Sequence, residues 1–139
     1  MFYQCRNFKS YEIVSKDVFG LFGDQVWMLF RPEALMSLDN IRSWFDRPVI
    51  VNNWASGGDL QFRGFRPFDC TIGARYSQHR FGGAFDFDVQ GVTADEVRKV
   101  ILDNEDHERF QYITCLEINV SWTHFDVRNI PNRIRLVKP

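Results

Sequence analysis

The chain has 139 residues, of which 45% are hydrophobic and 25% are charged, and its formal net charge is -1. This length and composition are typical of one globular domain, which we expect to span residues 1–139. The near-neutral charge predicts no nucleic-acid partner. Because no apolar run approaches the roughly 20 residues of a bilayer-spanning helix, the sequence also predicts no membrane insertion.

The N-terminal segment lacks the pattern of a secretory signal. Residues 1–6 contain no basic stretch followed by an apolar core, so we expect the protein to be cytoplasmic as synthesised. Cys5, Cys70 and Cys115 are odd in number and widely spaced, which predicts free thiols and argues against a cysteine-type zinc site. Residues 1–30 are mixed and aromatic, and they give no secure secondary-structure prediction.

The first clear element is a helix predicted over residues 32–46. Pro32 suits the first turn of a helix, and Pro48 ends the pattern. The apolar positions at helical spacing between them are Leu35, Met36, Leu38, Ile41, Trp44 and Phe45. The β-branched run at 49–51 then predicts a buried strand, and the polar, glycine-containing residues 52–59 predict a loop.

The middle of the chain predicts a strand over residues 83–89, followed by a helix. Thr93 is a suitable N-cap, and Glu96 three residues later completes a capping box. We expect this helix to run to about Asn104.

Two strands are predicted near the C-terminus, over residues 111–118 and 121–127. Their short connection indicates antiparallel neighbours. Residues 133–137 read as an edge strand or an extended tail. Because helices and strands do not alternate regularly, the order predicts an α+β fold with a small antiparallel sheet and flanking helices.

Chemistry-bearing residues fall on one face of two predicted strands. Side chains alternate between the faces of a strand. On the first strand Ala84, Asp86 and Asp88 share one face, and on the second Trp122, His124 and Asp126 do so. The opposite faces carry Phe85, Phe87 and Val89 on the first strand and Thr123, Phe125 and Val127 on the second. Each strand therefore presents a polar, metal-capable face with an apolar face behind it.

A metal-ligand set can be assembled from these strands and the loop before the first. His79, Asp86 and His124 supply two imidazoles and one carboxylate, and a catalytic zinc keeps three protein ligands and a water. Gly82 and Gly83 allow a tight turn between His79 and the strand. The spacing of these residues is not a general zinc signature, so ordinary polar residues remain the alternative.

The same residues resemble a known family. Ser77, His79, Gly82, Ala84 and Asp86 form the pattern Ser-x-His-x-x-Gly-x-Ala-x-Asp. This pattern is similar to the first zinc motif of the D-Ala-D-Ala carboxypeptidase family, which includes L-Ala-D-Glu endopeptidases and many phage lysins. The segment Trp122-Thr123-His124 resembles its second motif. The resemblance covers about residues 48–128 and implies a hedgehog/DD-peptidase-like fold.

The resemblance also implies roles for individual residues. His79, Asp86 and His124 would ligate Zn²⁺, and Glu117 would be the catalytic base, although it lies further from His124 than in relatives with a Glu-x-x-His motif. Arg66, in a Gly-aromatic-Arg context, and Ser77 would contact the substrate.

Several surrounding residues can be interpreted either as part of the metal site or as ordinary structural residues. Asp126 would orient a ligand imidazole by accepting its other N–H. Asp88 is read either in that way or as a strand-end carboxylate facing water. Trp54 and Trp122 either line the cleft or pack in the core. His107 lies in a charged stretch that reads as a solvated turn.

The function implied is that of a zinc metallopeptidase that cleaves peptide bonds in the stem peptides of bacterial peptidoglycan, with a zinc-bound water as nucleophile. Release through a holin and carriage in a virion are both compatible with the missing signal. Loops at residues 54–76 are expected to decide between a carboxypeptidase and an endopeptidase. The alternative is a non-catalytic zinc-binding structural or interaction module that retains the peptidase fold, either in a virion or like the hedgehog signalling domain. In that case Asp88 or Cys115 would complete the metal shell.

Overall fold

The structure, a computed structural model that describes residues 2–139, is a mixed α+β fold with a five-stranded sheet and three α-helices. The predicted α+β class is therefore confirmed. Met1, the first residue of the predicted domain, lies outside the described residues.

The three helices are α1 (Lys16–Phe22), α2 (Pro32–Phe45) and α3 (Ala94–Asp103). Helix α2 begins with Pro32 in its first turn and ends at Asp46, whose backbone is left-handed with φ of 48°. Helix α3 starts with the predicted capping box between Thr93 and Glu96. Both predicted helices are thus confirmed to within a residue or two. No helix in residues 2–139 combines the length and apolar character that crossing a bilayer requires.

The segment before α2 forms structure that its sequence did not reveal. Beside α1, it contains two short 3-10 helices, Ser10–Glu12 and Gly23–Leu29. Its apolar residues Ile13, Val14 and Val26 are completely buried in the core. Elements this short carry too few turns for a periodic pattern, so tertiary packing rather than local propensity defines them.

The strands are β1 (Val49–Ile50), β2 (Ala84–Val89), β3 (Cys115–Glu117), β4 (Thr123–Asp126) and β5 (Arg135–Val137). Their order across the sheet is β1-β2-β4-β3-β5. The first four pair antiparallel, as predicted, whereas β5 pairs parallel to β3 at the edge. The prediction of a purely antiparallel sheet was wrong in this strand.

The chain after β4 is anchored so that β5 returns along the far side of β3. The guanidinium of Arg133 donates to the carbonyl oxygens of Glu105, Phe110 and Ile113 at 2.7–2.9 Å. These three bonds join the segment before β5 to the segment that precedes β3. A parallel pairing follows because both strands then leave the same end of the sheet.

Strands β3 and β4 are shorter than the predicted ranges. Residues 108–110 form a 3-10 helix, and the amide of Ile113 donates to Phe110, so the chain turns before β3. Before β4, the carbonyl oxygens of Val120 and Trp122 accept from the Arg98 side chain on α3. These carbonyls are therefore directed towards a helix and not into a strand ladder.

The sheet separates an apolar core from a polar face. Phe85 and Phe87 of β2 and Phe125 of β4 are completely buried on the core side. Asp86 and His124 occupy the opposite face, as the alternation of side chains along a strand predicts. This face carries the candidate site.

Candidate metal centre

The register of the sheet aligns the polar residues in rows. In the β2–β4 pair Asp86 lies opposite His124, and Ala84 lies opposite Asp126. The β3–β4 register places Leu116 opposite Phe125, so Glu117, the next residue of β3, comes beside His124. One row across three strands thus reads Asp86, His124, Glu117.

His79 reaches this row from a short 3-10 helix, Gln78–Phe81, that ends immediately before β2. Ser77 caps the helix by accepting a hydrogen bond from the His79 amide at 3.3 Å. Gly82 follows with φ of 67°, a left-handed conformation that favours glycine, and a side chain there would meet the carbonyl of Leu29. The turn therefore fixes the direction in which the His79 ring points.

His79, Asp86 and His124 come together as a buried group. The three residues are 2%, 6% and 5% exposed, and one ligand atom from each lies within 4.8 Å of the others. Asp86 Oδ1 is 3.3 Å from His79 Nε2 and 2.7 Å from His124 Nδ1. Ligands at the usual zinc distances are separated by roughly 3.3 Å in a tetrahedral site, so the group could hold a metal ion. The predicted assembly of these three residues is confirmed.

In each imidazole, the nitrogen that does not face Asp86 is hydrogen-bonded to an acceptor oxygen. His79 Nδ1 lies 2.8 Å from the carbonyl oxygen of Gly64, to which it must donate because a carbonyl can only accept. His124 Nε2 lies 3.0 Å from the Asp126 carboxylate. These bonds leave His79 Nε2 and His124 Nδ1 facing Asp86, which is the arrangement that orients imidazoles as metal ligands.

Without a metal, the group is organised around a proton on His124. Burial opposes the charge on this ring, but hydrogen bonds to Asp126 and Asp86 outweigh it and raise the His124 pKa to about 9. Burial lowers the pKa of His79, which is therefore neutral. Burial also acts against ionisation of Asp86, yet the hydrogen bond that it accepts from the charged His124 ring holds its pKa far below its ordinary value. The carboxylate is thus ionised and ready to ligate a cation.

Asp126 is a completely buried carboxylate held on two sides. Besides His124, it accepts from Arg128, whose Nε lies 2.7 Å from Oδ1 and whose second terminal nitrogen, Nη2, lies 2.6 Å from Oδ2. Burial acts to raise the Asp126 pKa, but these hydrogen bonds lower it overall. Asp126 therefore lies where the predicted orienting role requires it.

Arg128 is a site residue that the sequence reading missed. The alternation of side chains along a strand could have indicated it. Arg128 lies two positions after Asp126, so it would share the face of Trp122, His124 and Asp126.

Arg66 lies next to the group and contacts its carboxylate. Its Nη2 atom is 3.2 Å from Asp86 Oδ2, and its Nε donates to the carbonyl of Phe62 at 2.7 Å. Arg66 is therefore held in place by contacts within the protein.

Glu117 is half-buried, and its Oε2 atom lies 3.8 Å from His124 Nδ1. The long sequence separation between Glu117 and His124 is explained by the sheet register, since the two residues are neighbours across β3 and β4.

A cleft of about 500 Å³, here called the main cleft, opens over the group. Its lining includes all predicted ligands together with Arg66, Ser77, Glu117, Trp122 and Arg128. A volume near this value is in the usual range of roughly 300–1,000 Å³ for small-ligand sites.

The other residues that the sequence analysis considered for the site lie outside the group of His79, Asp86 and His124. Asp88 pairs with Arg63 at 2.9 Å, and Cys115 is buried with its pKa raised to about 12 by burial. Trp54 donates its ring N–H to the carbonyl of Val14, away from the main cleft. His107 is exposed, and its ring packs edge-on against Trp44 with centroids 5.0 Å apart.

Comparison with known proteins does not extend this description. No protein-family model, no curated protein and no solved structure matches the chain. The geometry of the site and the motifs of the sequence are therefore the basis for assigning a function.

Proposed function

We propose that the chain is a zinc peptidase with the hedgehog/DD-peptidase fold, which cleaves peptide bonds in the stem peptides of bacterial peptidoglycan. The observation that carries the proposal is the coincidence of three features in one cleft. These are a buried two-histidine, one-carboxylate group, an acceptor behind each imidazole, and a further carboxylate, Glu117, beside the group.

The ligand set favours zinc over magnesium and calcium. Imidazole and carboxylate together are ordinary ligands of catalytic zinc, whereas magnesium and calcium prefer sites built of oxygen. Bound there, zinc would supply Lewis-acid chemistry and lower the pKa of a coordinated water to about 7.

The residues around the group can perform the proton transfers of amide hydrolysis. Glu117 is near enough to the ligand row to take a proton from a water and to pass it to the leaving amine. Arg66 supplies a fixed positive charge beside Asp86, where it can stabilise negative charge that develops on the carbonyl oxygen. Ser77 holds the helix that carries His79, and its position in the main cleft also allows contact with a substrate.

The test combines metal analysis with an assay of purified peptidoglycan. We expect about one zinc per chain and release of peptide fragments that stops on addition of a chelator and returns with zinc. Absence of zinc after expression in zinc-replete medium would contradict the proposal.

Glu117→Gln tests the base directly. We expect it to keep zinc and the fold but to lose at least roughly a hundredfold in turnover, the usual contribution of a positioned base. Glu108→Gln changes an exposed glutamate outside the main cleft and is the matched control, for which we expect unchanged turnover.

The same variant separates the enzyme from a non-catalytic zinc module. Such a module needs a fourth protein ligand, and Glu117, whose Oε2 lies 3.8 Å from the His124 nitrogen that faces Asp86, is a candidate for it. If Glu117 were that ligand, Glu117→Gln would lose zinc affinity together with any activity. Neither Asp88 nor Cys115, the fourth ligands considered from sequence, belongs to the metal-capable group.

A further inference from the structure

A loop of residues 67–76, here called the wall loop, forms one side of the main cleft. The residues that it contributes to the lining are Ile72, Gly73, Ala74 and Tyr76. Two of its aromatic side chains point outwards, since Phe68 and Tyr76 are 66% and 70% exposed. A loop that buries little apolar surface of its own depends on polar contacts for its position.

Arg80 supplies such contacts from the 3-10 helix that carries His79. Arg80 is buried, its Nη1 atom donates to the carbonyl oxygen of Phe68 at 3.1 Å, and its Nη2 atom donates to that of Cys70. Hydrogen bonds from a charged donor are stronger than those between neutral groups. The backbone of the wall loop is therefore fixed relative to the turn that places His79.

Gly73 brings the wall loop against the guanidinium of Arg66. The φ angle of Gly73 is 80°, and a Cβ atom at this position would lie 2.5 Å from Arg66 Nη1. Non-bonded heavy atoms pack at roughly 3.5–4.0 Å, so this position has no room for a side chain while Arg66 keeps its place.

The contacts of Arg66 leave one terminal nitrogen for a ligand. Its Nε donates to the carbonyl of Phe62, and its Nη2 lies 3.2 Å from Asp86 Oδ2. Within residues 2–139 Nη1 has no hydrogen-bond partner, yet it is not one of the buried unpartnered atoms, so it keeps access to solvent. Because Arg66 and Gly73 both line the main cleft, this access is through the cleft.

We propose that the wall loop is a positioning element of the site, in which Arg80 fixes the loop and Gly73 keeps the Arg66 guanidinium on Asp86 with Nη1 open to a substrate oxygen. The inference rests on the proposed function, in which Arg66 stabilises negative charge on the carbonyl oxygen. Gly73 and Arg80 are therefore positioning residues that act through Arg66.

Gly73→Ala tests the contact with Arg66, and Gly91→Ala is its matched control. Gly91 has φ of 76°, and a Cβ atom there would lie 2.7 Å from Nη1 of Arg47, which does not line the main cleft. Both substitutions introduce the same backbone strain and the same kind of clash, so we expect similar losses of stability. Only Gly73→Ala should slow peptide release from purified peptidoglycan, by roughly tenfold or more, because it displaces Arg66.

A double-mutant cycle with Arg66→Lys shows whether Gly73 acts through Arg66. The lysine side chain ends before the position of Nη1, so an alanine at position 73 has no atom to displace. In this background we expect Gly73→Ala to slow the residual peptide release by less than about twofold. An equal loss in both backgrounds would overturn the inference, because Gly73 would then act independently of Arg66.

A spectroscopic readout does not depend on turnover. Since Arg66 contacts Asp86, the visible absorption bands of the cobalt-substituted full chain should shift in Gly73→Ala and match the parent in Gly91→Ala. Identical bands in the two variants would contradict the inference. A parent chain that binds the metal but releases no peptide from peptidoglycan would overturn the peptidase proposal alone, because the spectra still report the position of Arg66.

Limited proteolysis with chymotrypsin tests the role of Arg80. Chymotrypsin cuts after aromatic residues, and Phe68 and Tyr76 are exposed in the wall loop. We expect Arg80→Met to be cut within this loop roughly tenfold faster than the parent, because the loop then opens more often. Arg109→Met, at an exposed arginine outside the main cleft, should be cut at the parent rate. Equal cleavage of Arg80→Met and the parent would show that Arg80 does not fix the loop.

Discussion

The Nε2 atom of His124 lies 3.0 Å from the Oδ2 atom of Asp126, two residues further along the same strand. Because this bond fixes the other nitrogen towards Asp86, we expect Asp126→Asn to lower zinc affinity by roughly 10- to 100-fold. Competition with a chromophoric chelator measures the change. Asp106→Asn, at an exposed carboxylate outside the group, is the control. Zinc affinity within twofold of the parent would show that Asp126 does not orient the ligand.

Metal removal should lower stability. A metal that binds only the folded chain adds about 4 kcal/mol when its concentration is roughly 1,000 times Kd. Thermal unfolding with zinc and with chelator should therefore differ by several degrees. His124→Gln should abolish the difference, whereas His107→Gln, at the exposed histidine that lies outside the group, should preserve it. An unchanged response in His124→Gln would remove this residue from the ligand set.

The metal-free protein should lose stability as the pH rises from 6.5 to about 9. Burial opposes the His124 charge, but hydrogen bonds to Asp126 and Asp86 raise its folded pKa from 6.5 to about 9. A raised folded pKa stabilises the fold fully below the unfolded value and no longer does so above the folded one. Denaturant unfolding across this range measures the loss.

Two controls accompany this pH series. The zinc-loaded protein should show a much smaller loss, because the metal takes the place of the His124 proton. The His124→Gln variant without metal should lack the loss as well. A pH dependence that persists in this variant would assign the titration to another group.

Arg98 should stabilise the loop between β3 and β4. Its buried guanidinium donates to the carbonyl oxygens of Glu117, Val120 and Trp122. Arg98→Met leaves these acceptors without their donor, so we expect the free energy of unfolding to fall by about 2–3 kcal/mol. Lys99→Met, at a mostly exposed position of the same helix, should change it by less than about 0.5 kcal/mol. Equal stability of the two variants would contradict this role.

The fold should require glycine at position 82 for two reasons, its left-handed backbone conformation and the lack of room for a side chain. Its φ is 67°, and a side chain would meet the carbonyl of Leu29, whereas Gly57 has φ of 96° with open space around it. We therefore expect Gly57→Ala to cost about 1 kcal/mol and Gly82→Ala to cost roughly 1–3 kcal/mol more. Gly82→Ala should also weaken zinc binding, because it displaces His79. Equal costs would show that the close approach to Leu29 is relieved by a small shift.

The sequence by itself determined the features that depend on local patterns, namely helix capping and the spacing of apolar side chains. Pro32 and the apolar spacing after it specified α2, and Thr93 with Glu96 specified the start of α3, because capping and helical periodicity involve residues only a few positions apart. The alternation of side chains also placed Asp86 and His124 on polar faces. These rules act within one segment, so they needed no knowledge of the fold.

Only the tertiary structure decided how those segments meet. Asp86 and His124 are 38 residues apart, and their 2.7 Å contact depends on the register of two strands. The same register brings Glu117 to His124, and packing fixes Arg128 on Asp126 and β5 beside β3. Contacts between distant segments arise from the shared burial of their apolar faces, which no local pattern specifies.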